Sequence, residues 1–340
     1  MTKKGKAYTR AGVDIDLGNK LKHGIQALVR QTHGPQVLGK IGGFGGLFHA
    51  SFPRMREPVL VASVDGVGTK LKIAFAMDKH ATVGMDLVNH CIDDIAVLGA
   101  RPLFFLDYIG CEKLEARVFQ QLLRGLSRAC RSAGCALLGG ETAQMPGMYR
   151  KGEYDLAGCI VGVVDRTKII DGKNIRPGDI VLGLSSNGLH TNGYSLARKI
   201  LFQGMRLKAN SPLPGSTITA GEELLRVHKN YQPVLAKVRA GMIKGLAHIT
   251  GGGLIDNVPR ILPSNCDALI ETRSWRVPSI FQILQKNGPV DAEEMYQVFN
   301  MGIGMVAIVA ERNARTAMSI LRAKRIGRIE RGTRRVRLKF

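Results

Sequence analysis

Five polar residues between Met85 and Leu98 have the types and the spacing of a metal site. In a helix each residue turns by about 100°, so five side chains share an arc of roughly 140°: Asp86, Asn89, His90, Asp93 and Asp94. The arc holds three carboxylates and no lysine or arginine. Clustered like charges are costly unless a cation neutralises them, and oxygen ligands suit Mg²⁺. The pattern favours a metal-nucleotide site, with a solvated helix face as the alternative.

Two glycine turns follow apolar strands, and each carries an acid. Asp65 lies in SVDGVGTK, after the apolar run 58–62, and Glu141 lies in LGGET. The first turn lacks the G-x-x-x-x-G-K-[ST] spacing of a P-loop. Glycine lets the backbone approach an anion closely, so these acids, facing the acidic helix, would complete a magnesium site between phosphate oxygens; each turn taken alone also fits an ordinary turn. The predicted metal ligands are Asp65, Asp93, Asp94 and Glu141.

A third glycine-rich stretch lies nearer the N-terminus. Gly42, Gly43 and Gly45 surround Phe44 in IGGFGG, residues 41–46. Such a loop suits a lid over phosphates. A flexible surface loop is equally compatible with the sequence.

Two loops in the second half combine polar side chains with the start of a helix. SSNGLHTNG, residues 185–193, follows the apolar strand 180–184, and a strand-end loop that opens a helix is a favoured ligand position. His190 is therefore a catalytic candidate, although a single histidine in a loop can equally be structural. HITGGG, residues 248–253, precedes a predicted helix, whose N–H groups can bind a substrate phosphate; a plain turn is the alternative. The predicted substrate-binding residues are Ser185, Ser186, Thr191, Thr250, Gly251, Gly252 and Gly253.

Strands alternate with helices in both halves, which predicts an α/β fold built from α+β layers. Strands are predicted at 58–62, 135–138, 155–164, 180–184 and 304–310, and helices at 85–98, 114–132, 194–202, 222–238, 280–285 and 312–324. Turn residues between 165 and 179 place a domain boundary near Arg166. We therefore predict two domains, residues 1–166 and 167–340.

Composition narrows the class of protein. Of 340 residues, 45% are hydrophobic and 22% charged, an ordinary globular balance. Six cysteines form no C-x-x-C pair, and the basic N-terminus lacks the apolar segment of a signal peptide. The apolar runs are too short to span a bilayer. These features predict a cytoplasmic protein without a membrane partner.

The net charge of +22 raises the question of a nucleic-acid partner. Between Arg312 and Lys339 there are eleven basic residues and one acid. The segment is periodic, with a helix face near Ala317 and a strand alternation from Val336 to Phe340, unlike a disordered basic arm. We interpret it as a solvated basic face and predict no specific nucleic-acid binding, since no recognised nucleic-acid module is present.

Taken together, these stretches resemble the aminoimidazole ribonucleotide synthetase (phosphoribosylformylglycinamidine cyclo-ligase) family. The shared wording includes DGVGTK, GARPLFFLDY, LLGGETAQMPGMY, SSNGLHTNGYSLARK and AHITGGG, in the family's order from Ala11 to Met305. The wider group includes selenophosphate synthetase and thiamine-monophosphate kinase, which bind ATP and magnesium without a P-loop.

The resemblance implies a two-domain ATP-binding cyclo-ligase fold and a homodimer. In it the N-terminal domains bind ATP and pair their sheets across the dimer axis, and the C-terminal domains bind the substrate in the cleft. It implies ATP-dependent ring closure of formylglycinamidine ribonucleotide in purine biosynthesis, with release of ADP and phosphate. Catalytic roles then fall to Asp65, Asp94, His190 and Asn192. Phosphate contacts fall to Gly42, Gly43, Gly45, Gly66, Gly68, Thr69, Lys70, Gly140 and Thr142.

The sequence departs from the family pattern in three places. Asp93 stands where asparagine is usual, Gln144 where glutamate is usual, and the region after Met318 matches poorly. Another ATP-dependent phosphoryl-transfer enzyme of the same group is the alternative. A basic nucleic-acid-binding protein is the alternative from a different class.

Overall fold

The computed structural model describes residues 12–13, 15–39 and 43–340. The strands are β1 (Val37–Leu38), β2 (Leu47–Phe48), β3 (Pro58–Gly66), β4 (Arg101–Cys111), β5 (Ala136–Gln144), β6 (Tyr154–Asp165), β7 (Ile180–Ser185), β8 (Ile243–His248), β9 (Cys266–Glu271), β10 (Ile303–Val309), β11 (Lys324–Arg331) and β12 (Val336–Lys339). The α-helices are α1 (Ile15–Arg30), α2 (Leu71–Met77), α3 (Ala81–Ala96), α4 (Ala116–Ser132), α5 (Tyr194–Arg198), α6 (Ala220–Leu224), α7 (Gln232–Leu235), α8 (Gly253–Asn257), α9 (Ser279–Asn287), α10 (Ala292–Val298) and α11 (Glu311–Leu321). This is the predicted mixed α/β architecture.

The first half forms a four-stranded sheet in the order β3-β6-β4-β5. Only the β4–β5 pair is parallel. Helices α3 and α4 cover one face, and they approach so closely that a Cβ on Gly125 would lie 2.0 Å from the carbonyl oxygen of Ala81. The other face is open and apolar, with Leu60, Val64 and Leu106 exposed by 61%, 71% and 36%.

The second half forms a six-stranded sheet in the order β12-β9-β11-β7-β10-β8. β10 runs antiparallel to both of its neighbours, so β7 and β8 are parallel to each other. Ser185 at the end of β7 pairs with Ile303, and His248 at the end of β8 pairs with Met305. The loops after β7 and β8 therefore begin side by side at one edge of the sheet.

Helix α3 lies between the two halves. Its apolar residues Leu87, Cys91 and Ile95 are fully buried in the first half. Its polar arc is buried as well, because Asp86 and Asp93 have no exposed surface. The alternative of a solvated helix face is therefore wrong: this face contacts the second half of the chain.

The prediction of one helix at 222–238 is wrong. Two short helices, α6 and α7, stand in its place, and the residues between them are not helical. In that interval the amide of His228 donates to Asp86 Oδ1 at 2.6 Å, and the amide of Tyr231 donates to Asp93 Oδ1 at 2.8 Å. The carboxylates of Asp86 and Asp93 thus accept hydrogen bonds from N–H groups that, in a continuous helix, would donate to carbonyl oxygens of the helix itself.

The basic C-terminal segment is ordered as predicted. Ala317 and Leu321 of α11 are buried, and β12 pairs in parallel with β9. Among the described helices, none is long and apolar enough to cross a bilayer.

Candidate active site

β3 and α3 bring three of the titratable side chains together. Asp65 Oδ2, near the end of β3, lies 2.7 Å from His90 Nε2. His90 Nε2 lies 4.0 Å from Asp94 Oδ2, one helical turn further along, and Ser63 donates to the same oxygen at 3.1 Å. The side chains of Asp65 and Asp94 remain 40% and 26% exposed, so both carboxylates reach the surface where the two halves meet, which we call the cleft.

A continuous series of contacts runs from Asp65 through the second half of the chain to Asp94. His90 Nδ1 lies 2.7 Å from Thr191 Oγ1, which lies 3.2 Å from His228 Nδ1. His228 Nε2 lies 3.0 Å from His248 Nε2, and His248 Nδ1 lies 2.8 Å from Asp94 Oδ1. We call this series the Asp–His chain, and its members in order are Asp65, His90, Thr191, His228, His248 and Asp94.

Hydrogen-bond counting shows that the Asp–His chain carries one extra proton. Ionised carboxylates only accept hydrogen bonds, so both ends of the chain are acceptors. The three imidazoles and one hydroxyl between them make five contacts. Each of these four groups donates one hydrogen when neutral. One histidine must therefore be an imidazolium with two N–H groups.

The local charges identify His90 as that imidazolium. Burial opposes its protonation, but the hydrogen bond to Asp65 and the nearby carboxylates outweigh burial and raise the pKa of His90. Burial lowers the pKa of His248 despite its bond to Asp94, and it lowers the pKa of His228 well below the usual value. His90 is thus the cation of the chain.

The two end carboxylates are ionised. Burial alone would raise the pKa of Asp65 and of Asp94, but hydrogen bonds to His90 and His248 respectively lower both pKa values. The amide of Gly66 also donates to Asp65 Oδ1 at 2.6 Å. At neutral pH the cleft therefore presents two negative charges on either side of one imidazolium.

Lys70 does not occupy the predicted phosphate position. Its side chain is fully buried, and its Nζ lies 2.8 Å from Asp86 Oδ2. Nζ also donates to the carbonyl oxygens of His190 at 3.0 Å and Arg226 at 2.7 Å. One ion pair and two hydrogen bonds therefore hold the buried ammonium group. The prediction that Lys70 contacts a phosphate is therefore corrected: its ammonium group links Asp86 of α3 to backbone carbonyl oxygens of the second half.

Asp93 does not share the cleft with Asp65 and Asp94. Its Oδ1 accepts the Tyr231 amide, and its Oδ2, 3.5 Å from His228 Nε2, has no hydrogen-bond partner among the described residues. Burial raises its pKa well above the usual value. This position corrects the prediction of Asp93 as a magnesium ligand, because its carboxyl group is enclosed by protein.

Glu141 lies at the opposite edge of the first sheet from Asp65. β6 and β4 separate β5 from β3, and Glu141 is in register with Gly66 across them. Three strand spacings of about 4.8 Å put the two edges roughly 14 Å apart. One chain therefore cannot form the predicted ion site that Asp65 and Glu141 share.

The other predicted phosphate-binding residues divide between the same two edges. Gly66, Gly68 and Thr69 lie by Asp65, where Gly68 has φ +67° and Thr69 Oγ1 lies 3.1 Å from Ser195 Oγ. Gly140 and Thr142 are in β5. Gly43 and Gly45 are exposed in the glycine-rich loop, which packs on β5, since a Cβ on Gly46 would meet Leu138 at 2.3 Å. Gly42 lies outside the described residues.

His190 is held in an unusual environment. Its φ of +63° is left-handed, which is rare for a residue with a side chain, and it is 2% exposed. Neither ring nitrogen has a hydrogen-bond partner among the described residues, and the ring stacks on that of His228 at 4.2 Å. Burial lowers its pKa well below the usual value, so the ring is neutral.

The predicted substrate loops lie against each other. Asn192 Nδ2 donates to Thr191 Oγ1 at 3.4 Å, and a Cβ on Gly251 would lie 3.4 Å from Asn192 Oδ1. Ser186 Oγ donates to Asn300, and the Ser185 carbonyl accepts from Tyr231. The remaining predicted residues of the second loop are Thr250, Gly252 (φ +95°) and Gly253 (φ +56°), beside the short helix α8.

Three members of the Asp–His chain were absent from the predicted site residues: His90, which was placed in the polar arc but given no ligand or catalytic role, His228 and His248. His228 lies in RVHKNY, a stretch without a recognisable motif, and the helix predicted there hid its role. His248 opens HITGGG, where its position at a strand end was a usable signal. His228 and His248 are brought to the site by tertiary contacts with Asp86 and Asp94 of α3.

Comparisons with known proteins cover most of the chain. The family described as "AIR synthase related protein, N-terminal domain" matches residues 51–164, and its C-terminal counterpart matches 176–339. The "Phosphoribosylformylglycinamidine cyclo-ligase" of Syntrophotalea carbinolica is 54% identical over 92% of this chain and 89% of its own length. The protein of the same name from Trichlorobacter lovleyi is 52% identical over 94% and 92%.

Two solved structures at 18% identity share the fold. Thiamine-monophosphate kinase from Stenotrophomonas maltophilia has a TM-score of 0.67 and covers 96% of both chains. Hydrogenase maturation protein HypE in complex with ATP has a TM-score of 0.64 over 99% of this chain and 92% of its own.

Proposed function

The chain belongs to the AIR synthase related protein family, and we propose that it converts formylglycinamidine ribonucleotide to 5-aminoimidazole ribonucleotide with ATP. The observation that carries this proposal is 52–54% identity, over nine tenths of the chain, to relatives named phosphoribosylformylglycinamidine cyclo-ligase. The reaction releases ADP and phosphate and belongs to purine biosynthesis.

The chemistry needs activation of an amide oxygen. That oxygen attacks the γ-phosphorus of ATP, the bond from the γ-phosphorus to the bridging oxygen breaks, and ADP leaves. An amidine nitrogen then attacks the former amide carbon, the carbon–oxygen bond breaks, and phosphate leaves with the oxygen. The nitrogen loses one proton, so the protein must position the groups, neutralise phosphate charge and accept that proton.

Asp65 and Asp94 are the residues that would hold Mg²⁺. Both are partly exposed, and both have lowered pKa values, so they present ionised oxygens to the cleft. Such oxygens fit the ligand preference of Mg²⁺. The bound ion would offset the negative charge of the ATP phosphates.

The Asp–His chain is the candidate proton acceptor. All five contacts of the chain already hold a hydrogen, so an end carboxylate accepts a further proton as His90 releases its extra proton through the other end, without movement of heavy atoms. Thr191 and Asn192 lie where the chain meets the predicted substrate loops. We therefore assign the base function to this chain as a unit, with Thr191 and Asn192 orienting the substrate.

A homodimer is the proposed assembly. The open face of the first sheet carries Leu60, Val64 and Leu106, and Val64 and Leu106 lie opposite each other across Cys159. Exposed apolar surface of this kind favours association. Pairing this sheet with a second copy offers a way to bring the β5 edge, with Glu141, towards the Asp65 edge of a partner. We also propose a cytoplasmic location, which suits six unpaired cysteines.

The test is an assay of ADP release by the purified protein with magnesium and formylglycinamidine ribonucleotide. We expect ADP release only when the ribonucleotide is present, with one ADP for each imidazole formed. A folded sample that releases no ADP under these conditions contradicts the proposal.

A further inference from the structure

A cavity of about 150 Å³ lies between the two halves at the end of α3, outside the candidate active site. Three segments form its walls: the end of α3 with the turn into β4, the connection around Ile170, and the stretch from α7 to the beginning of β8. No member of the Asp–His chain lines it. An apolar cavity of about this volume holds a benzene molecule, so this one has room for a six-membered ring.

Contacts between the walls fix the shape of the cavity. The amide of Ile170 donates to the carbonyl oxygen of Leu98 at 3.2 Å, and a Cβ on Gly99 would lie 3.0 Å from the carbonyl oxygen of Lys168. The residue before α7, Tyr231, is bound to α3 through its amide. The cavity is therefore formed before any ligand arrives, as ligand sites usually are.

Most of the wall is apolar. Ala96, Ala100, Ile243 and Leu246 are each less than a tenth exposed, and Leu235 packs against the core of the second half. Water in such a cavity finds few hydrogen-bond partners, so its displacement by an apolar group is favourable. The wall therefore suits a ligand with an apolar body.

The same wall carries three exposed basic side chains and no acidic one: Arg101, Lys168 and Arg239. In the described part of the chain none of the three forms an ion pair, and Arg101 Cζ lies 5.7 Å from the centre of the Phe52 ring. Asp165, the acid nearest to Lys168 in the sequence, already accepts three hydrogen bonds. Three cations around one cavity are thus left without a carboxylate partner.

These charges match a phosphate group better than a carboxylate. The cations repel one another, and an anion held between them removes that repulsion. A phosphate monoester carries nearly two negative charges at neutral pH, and two arginines can each bind its oxygens in a bidentate manner. Arginine and lysine side chains are long, so all three can reach a group held at the mouth of one cavity of this size.

We propose that this cavity binds a small organic phosphate, with its phosphate group at Arg101, Lys168 and Arg239 and an apolar body of about one ring inside. The site is separate from Asp65 and Asp94, the residues that would hold Mg²⁺ with ATP. The proposal goes beyond ring closure and does not depend on it.

The experiment is calorimetric titration of the full-length protein with phenyl phosphate, which joins a phosphate group to one six-membered ring. The titration is done at physiological salt, where weak surface attraction is screened, with and without saturating Mg-ADP. We expect one phenyl phosphate per chain in both conditions. Because the ring and the phosphate each contribute, it should bind at least about 10-fold more tightly than inorganic phosphate or phenol. A failed ADP assay leaves this result unaffected, because binding is measured without turnover.

Variants at exposed positions assign the site. Arg101→Gln/Arg239→Gln should weaken phenyl phosphate binding at least about 10-fold, because each lost contact is a hydrogen bond to a charged group. The control Lys286→Gln/Arg312→Gln removes the same charge from exposed positions outside the cavity and should bind as the wild type does. Ala236→Trp fills the cavity from an exposed position of its wall, so phenyl phosphate should bind no more tightly than inorganic phosphate. Thermal melting checks folding, and if Ala236→Trp does not fold, the double variants decide.

Four results overturn the proposal. The wild type binds no phenyl phosphate, or binds it no more tightly than inorganic phosphate. Mg-ADP displaces the probe, which assigns it to the candidate active site. Arg101→Gln/Arg239→Gln binds as tightly as the wild type, which places the probe elsewhere. The control loses as much affinity as Arg101→Gln/Arg239→Gln, which reduces binding to an effect of the net charge of the chain.

Discussion

Removing the ammonium group of Lys70 tests how the two halves of the chain are held together. Its Nζ forms an ion pair with Asp86 Oδ2 at 2.8 Å, both side chains are fully buried, and Nζ also donates to two carbonyl oxygens of the second half. Lys70→Met leaves the Asp86 carboxylate buried without its cation. Loss of one partner of such a pair costs about 3–5 kcal/mol of unfolding free energy.

A double-mutant cycle separates the ion pair from the other contacts. Asp86→Asn keeps an acceptor for the His228 amide, which donates at 2.6 Å, and removes the charge. In Lys70→Met/Asp86→Asn neither charge remains, so we expect the two substitutions to cost about 1–3 kcal/mol less together than the sum of the single losses. The two carbonyl oxygens stay unpaired, so the double variant does not regain wild-type stability.

Urea unfolding, followed by the fluorescence of Trp275 and by circular dichroism, measures these free energies. Lys72→Met is the matched control, because Lys72 pairs with Glu153 at 2.6 Å but is 37% exposed; its loss should cost less than about 1 kcal/mol. A Lys70→Met protein as stable as the Lys72→Met control, or additive losses in the cycle, would refute the reasoning.

Three further predictions follow from the site and the open sheet. Asp94→Asn keeps an acceptor for His248 but loses the charge. We therefore expect turnover to fall on the order of 10³-fold with little change in melting temperature. A variant with more than a tenth of wild-type activity at saturating magnesium contradicts the role of Asp94 as a magnesium ligand. The pKa values of His190 and His228 are lowered well below 6.5 in the folded protein, so the unfolded state binds more protons below pH 6.5. The free energy of unfolding should therefore fall as the pH is lowered below 6.5, by up to about 1.4 kcal/mol per pH unit for each histidine. Urea unfolding at several pH values should show a shallower fall in His190→Phe, and an unchanged dependence on pH contradicts a neutral, buried His190. Val64→Asp, on the open sheet face at 71% exposure, should turn the dimer into a monomer by light scattering, whereas a wild-type protein that is itself monomeric contradicts the proposed assembly.

The sequence was sufficient to predict those features whose residues all lie in one continuous segment. The spacing of Asp86, His90 and Asp94 required a helix with one polar arc, and the structure has that helix as Ala81–Ala96. The loops after β7 and β8 were predicted because apolar strands, polar residues and glycines follow one another directly. Their adjacency depends on β10, which lies far along the chain and pairs with both strands.

Other features depended on contacts between distant segments. The interval between α6 and α7 has apolar residues at helical spacing, but its amides bind Asp86 and Asp93, more than a hundred residues earlier. Lys70 resembles a phosphate ligand in sequence, and only the fold shows that Asp86 occupies it. Glu141 matched Asp65 in local pattern, but strand order decides their separation and no local pattern encodes it. The domain boundary near Arg166 stays a prediction.

The fate of the amide oxygen of the substrate tests ring closure most directly. Formylglycinamidine ribonucleotide labelled with ¹⁸O at the formyl oxygen is turned over with unlabelled ATP in unlabelled water, and the released phosphate is analysed by mass spectrometry. Transfer of the γ-phosphoryl group to that oxygen predicts one ¹⁸O in each phosphate and none in ADP. Unlabelled phosphate, with the label released to water or kept in the product, would contradict phosphoryl activation as the way this chain closes the ring.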